Sequence, residues 1–79
     1  MEEKVKEIIS STFFIDKDVI KLDSKLKEDL DIDSLDATSL ILDLEEKYNI
    51  KVKNEELIKL VTVKDIVNLL NEKGVEIEE

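Results

Sequence analysis

The chain has 79 residues, of which 42% are hydrophobic and 42% charged; it lacks Cys and His and carries a formal net charge of −9. This composition excludes disulfides, Cys-based zinc centres, thiol nucleophiles and any side chain that ordinarily titrates near neutral pH. The length predicts a single domain over residues 1–79 with a modest core.

In chain order, Val5, Ile8, Ile9, Thr12 and Phe13 recur at helical spacing and predict a first helix over about residues 2–14. Glu2 and Glu3 suit its positive end. Residues 16–33 have no clean period, but Val19, Ile20, Leu22, Leu26, Leu30 and Ile32 are expected to peg this connection onto the core. Asp23-Ser24 reads as a turn within it. So long a connection points to function or to unrecognised structure. A second helix is expected over residues 34–48, with Asp33 as N-cap and Asp36 in the first turn. A short helix follows from Asn54 to Leu60. Thr62-Val63-Lys64-Asp65 has the form of a capping box and opens a third long helix with Val63, Ile66, Val67 and Leu70 inward, stopping at Lys73 and Gly74. Val75 to Glu79 are expected to fray. The fold class is therefore all-α: a small bundle of three long helices and one short helix, with a long first loop.

No apolar run approaches the ~20 residues that cross a bilayer, and the N-terminus shows no apolar leader. A cytoplasmic monomer without membrane insertion is expected. All 12 basic residues are Lys, and the acidic balance disfavours nucleic acid and anionic membranes. It favours protein partners with basic patches. From Glu28 to Glu46 there are eight acids and no Lys.

At about 100° per residue, the second helix turns Ala37, Leu40, Ile41, Leu44 and Tyr48 to the core, and Leu35, Ser39, Leu42 and Glu46 to the opposite side. Leu35 and Leu42 thus stand exposed among Asp36, Asp43, Glu45 and Glu46. This reads as a docking face; the alternatives are a rotated helix or an ordinary solvated charge run. Ser34 lies where loop meets helix. Such a serine is commonly a local hydrogen-bonding residue. Here Asp33 already supplies the capping group, which frees the Ser34 hydroxyl to point outward.

The run Leu30-Asp-Ile-Asp-Ser-Leu-Asp36 resembles the D-S-L-D signature of acyl carrier proteins. The likeness extends upstream over Leu22–Leu30, downstream over Leu44–Ile50, and to Thr62–Asp65. It implies an acyl-carrier-like bundle that is not an enzyme. It also implies a covalent 4′-phosphopantetheine on Ser34, taken from coenzyme A by a phosphopantetheinyl transferase (a holo-carrier synthase). The terminal thiol of that arm carries acyl chains as thioesters to the basic docking patches of fatty acid biosynthesis enzymes. By the same resemblance, Asp33, Leu35, Asp36, Leu42, Glu45 and Glu46 form the partner face. Leu44, Val52, Leu57, Leu60, Val63 and Ile66 form an acyl pocket, positions that equally suit ordinary core. Three positions depart from the family's pattern: Asp31 stands where Gly is often found, Ser39 where an acid is frequent, and Lys53 where Pro is common.

Other classes fit less well. Asp29, Asp31 and Asp33 begin like an EF-hand loop, but Ser34 replaces its Gly and Leu40 its closing Glu. No specific metal site is read, although loose divalent binding by the clustered carboxylates is compatible. Paired carboxylates for glycosidase chemistry lack a cleft in so small a helical chain. An unmodified acidic adaptor would show the same docking face. Among carriers, polyketide, D-alanyl and aminoacyl pathways are the alternatives to fatty acid synthesis; Asp36 favours fatty acyl or polyketide-type carriers, and a chain expected to be free-standing favours a dissociated fatty acid system.

Overall fold

The computed structural model describes residues 2–75 and contains α1 (Glu2–Phe13), α2 (Ser34–Tyr48), α3 (Asn54–Leu57) and α4 (Val63–Glu72). Among these residues there is no strand, only an isolated antiparallel bridge between Lys25 and Thr62. The predicted short helix stops earlier than expected. After Leu57 the bonds tighten to three-residue spacing, with Lys59 N–H donating to Glu56 O and Leu60 N–H to Leu57 O.

One buried cluster joins all the long elements. Val5 and Ile9 come from α1, Leu40, Ile41 and Leu44 from α2, and Val63, Ile66, Leu69 and Leu70 from α4. Leu69 was not among the expected inward residues. It is buried because α4 packs on α1 while its first turn lies beneath the long connection, so a wider stripe of α4 is covered.

The long helices end alike. Phe14, Asn49 and Gly74 adopt φ of +57°, +54° and +77° after α1, α2 and α4. The next residue then donates its N–H back five positions: Ile15 to Ser10 O (3.2 Å), Ile50 to Glu45 O (3.1 Å) and Val75 to Leu70 O (3.0 Å). Each of these residues is apolar and packs on the core. This is the Schellman ending, which satisfies otherwise orphaned carbonyls and pins the departing chain. Val75 is therefore docked, contrary to the expected fraying; Glu76–Glu79 lie outside the described residues.

The long connection holds structure that lacks a helical period. Asp16 Oδ1 accepts from Asp18 N–H (3.0 Å) and starts a 3-10 turn over Lys17–Val19. This turn exposes Val19, which was expected as a peg, and buries Ile20, as expected. Lys17 Nζ sits 2.8 Å from Glu3 of α1. Further on, Ser24 is buried, and its Oγ accepts from Lys21 N–H at 3.0 Å. Three backbone bonds tie the connection to the start of α4: Leu26 N–H to Val61 O (2.8 Å), Val63 N–H to Ser24 O (3.1 Å) and Lys64 N–H to Leu22 O (2.9 Å). A tight turn over residues 25–30 follows, capped by Asp29 Oδ2 accepting from Lys25 N–H at 2.7 Å. Asp31 then takes φ +56° and Ile32 N–H returns to Leu26 O at 2.7 Å. Leu26, Leu30 and Ile32 are all buried, which fixes the height at which the chain reaches Asp33.

Candidate functional site

The first turn of α2 is built by Asp33 and Thr38. Asp33 is extended, and its Oδ1 accepts from Asp36 N–H at 2.9 Å, so it is the N-cap. Thr38 Oγ1 donates to Ser34 O at 2.8 Å and steadies the first turn. Between them, Ser34 is exposed as the first helical residue. Its carbonyl is engaged, but its hydroxyl takes part in no hydrogen bond among the described residues. A free, exposed hydroxyl at the positive end of a fifteen-residue helix has room for a substituent on its oxygen, and the helix end favours a phosphate there.

Beside Ser34 opens a cleft of about 410 Å³. One wall is the pinned loop, with Leu26 and Ile32; another is α2, with Ala37 and Thr38; the third is Leu57, Ile58, Leu60 and Val61. Lys25, Lys27 and Glu28 stand around it, as does Asp33. The cleft exists because three bonds bring the connection to residues 61–64 while α3 is too short to fill the gap above α2. Ile58 (79% exposed) and Val61 remain largely uncovered there.

Of the six positions matched to an acyl pocket, Leu57 and Leu60 line this cleft. Leu44, Val63 and Ile66 are sealed in the core, and Val52 is half-buried against it. On the matched partner face, Leu35 (78%) and Leu42 (58%) are exposed, as are Asp33 and Glu46, while Asp36 is half-buried. Glu45 differs from these. Its Oε2 accepts from Val52 N–H at 3.0 Å, so the carboxylate holds the strap between α2 and α3. No group of three or more acidic side chains converges on a metal-sized site among the described residues.

Ile58, Val61, Lys25 and Lys27 were not singled out from the sequence. A signal was present: Leu57-Ile-Lys-Leu-Val61 holds more apolar side chains than one short helical turn can bury. Lys25 and Lys27 carry no pattern of their own, and only the loop's fold brings them to Ser34.

Residues 3–70 match the family described as the phosphopantetheine attachment site. An acyl carrier protein of Petrotoga mobilis is 45% identical over 71 residues, covering 90% of this chain and 84% of that protein. An acyl carrier protein of Campylobacter concisus is 38% identical over 91% of this chain and 94% of its own length. Among solved structures, the acyl carrier protein of Thermotoga maritima superposes with a TM-score of 0.78 at 28% identity, covering 92% of this chain and 91% of that one.

Proposed function

The chain belongs to the acyl carrier proteins, the family that holds a covalent 4′-phosphopantetheine, and on that premise we propose that Ser34 bears this group and that the protein carries acyl chains for fatty acid synthesis. The observation that carries the assignment is the unengaged Ser34 hydroxyl at the positive end of α2, left free because Asp33 takes the capping role. When bound, the group supplies a terminal thiol that holds acyl chains as thioesters, a chemistry that no side chain of this cysteine-free sequence offers.

Ser34 provides the oxygen that becomes bonded to phosphorus. As that bond forms, the pyrophosphate linkage of coenzyme A breaks, adenosine 3′,5′-bisphosphate leaves and the hydroxyl proton passes to the transferase. The chain has no His, and among the described residues no carboxylate is hydrogen-bonded to the Ser34 hydroxyl, so proton removal falls to the partner enzyme. Leu26, Ile32, Ala37, Leu57 and Leu60 give the adjacent cleft mainly apolar walls. Such walls favour a fatty acyl cargo over an aminoacyl one. Around the serine, exposed Leu35 and Leu42 lie among Asp33, Asp36, Asp43 and Glu46. That pairing of apolar anchors with acids suits enzymes whose docking patches are apolar and basic.

The test is intact mass after incubation with coenzyme A and a broad-specificity phosphopantetheinyl transferase. Wild type is expected to gain one phosphopantetheine and Ser34→Ala none, with the melting temperature of the variant essentially unchanged because the hydroxyl makes no internal bond. A folded wild type that gains nothing from an active transferase would overturn the assignment and leave an acidic adaptor as the better reading.

A further inference from the structure

We propose that Lys27 is the internal counter-cation for the phosphodiester on Ser34, and that it turns the prosthetic arm over the cleft and away from open solvent. This inference rests on the reading of Ser34 as the attachment residue.

The argument begins with charge. A phosphodiester adds a negative charge inside a segment, Glu28 to Glu46, that holds eight acids and no Lys. Asp33 and Asp36 lie immediately beside the serine. The positive end of α2 offsets this repulsion only in part, since the Asp36 N–H is already taken by Asp33. Two cations line the same cleft as Ser34, namely Lys25 and Lys27. Lys25 is committed, with its Nζ 3.2 Å from the Glu28 carboxylate. Lys27 takes part in none of the ion pairs among the described residues.

The backbone around Lys27 is held while its side chain is free. On its N-terminal side, Leu26 N–H is bonded to Val61 O and Leu26 O accepts from Ile32 N–H. Both Leu26 and Ile32 are buried. The lysine therefore stands on a fixed rim, and only the rotamers of its own chain must be ordered on pairing. Ile58 and Val61, apolar side chains that the core leaves uncovered, line the same cleft. A free cation and uncovered apolar side chains in one cleft match the first part of an arm that begins with a phosphate and continues, one methylene on, with a dimethyl-substituted carbon.

The experiment compares wild type, Lys27→Gln, Lys27→Arg and Lys25→Gln, each as apo protein and as protein fully loaded by intact mass. Melting temperatures are taken at low ionic strength. The loaded-minus-apo difference is expected to be about 2–4 °C less favourable in Lys27→Gln than in wild type. It should be retained in Lys27→Arg, be little changed in Lys25→Gln, and lose its dependence on Lys27 at about 0.5 M salt. In loaded wild type, nuclear Overhauser contacts should join the arm's methyl groups to Val61, and these should weaken in Lys27→Gln. Full loading with equal loaded-minus-apo differences in wild type and Lys27→Gln overturns the role of Lys27 and leaves Ser34 standing. Absence of loading on wild type overturns the reading of Ser34 and this inference with it.

Discussion

Asp31 shows how one side chain records the shape of the functional loop. The acyl carrier pattern often has Gly at this place, and Asp31 adopts φ +56°, the left-handed region. An ordinary L-residue loses roughly 1–2 kcal/mol there, and Asp as a residue type loses less. Asp31→Gly would remove that cost and a charge between Asp29 and Asp33, while adding ~0.5–1 kcal/mol of chain entropy to be lost on folding. The expected net is a gain between zero and about 1 kcal/mol. Asp31→Val has no such relief and should lose about 1–2 kcal/mol. Urea unfolding of the three proteins checks both, and a Val variant as stable as wild type would show that the turn does not require this backbone shape. The departure at Asp31 was visible in the sequence, but its conformation was not, since that depends on Leu26 and Ile32 being drawn inward on either side. Glu45 carries the same lesson: its sequence context places it on the acidic face, whereas its carboxylate is turned to Val52 N–H.

Among the elements, α3 is the weakest by itself, at four residues. It is held from both ends. Glu56 Oε1 accepts from Lys53 N–H at 3.2 Å and lies 2.8 Å from Lys73 Nζ at the end of α4. A Pro at position 53, common in the family, has no N–H to offer this bond. The Lys73 ammonium first, and the Lys53 N–H second, hold the Glu56 carboxyl below its ordinary value. A carboxylate lowered in the folded state stabilises above its unfolded pKa, and that stability is lost as pH falls through its folded value. Lys73→Met should therefore be less stable than wild type near neutral pH, and the gap should narrow as pH falls through the acid range, because the variant has less of this stability to lose. Thermal melts from about pH 6 down to pH 3 measure this, and parallel curves for the two proteins would exclude the pair as a contributor. Helix cores and the Thr62–Asp65 capping box could be read directly, because a 3.6-residue period and a local capping pattern are properties of neighbouring residues. Two things were not legible. The Asp16-capped turn is too short to have a period. The endings at Phe14 and Asn49 carry no glycine to announce them, so only the apolar Ile15 and Ile50 that follow hint at a docked return.

At the scale of the whole molecule, the acidic face is held against the stability of the fold. Asp43 and Glu46 are exposed on α2 and take part in no ion pair among the described residues. Their charges add to a segment of eight acids in a chain of net charge −9, and like charges this close destabilise the compact state. Nothing within the fold gathers three or more of the described acids around a metal ion, so ordinary salt should relieve the repulsion by screening. Asp43→Asn with Glu46→Gln is expected to raise the melting temperature at low salt by about 2–4 °C, taking a few tenths of a kcal/mol per charge. At about 0.5 M NaCl, where the screening length falls to a few ångströms, most of that gain should vanish. The same double variant should associate more slowly with a basic transferase, by the largest factor at low salt, since steering acts on the encounter. A variant that melts lower than wild type at low salt would show that these acids make stabilising contacts. A rise in melting temperature together with slower association would show why the acids are kept: the α2 face yields some stability to bring partners quickly to Ser34.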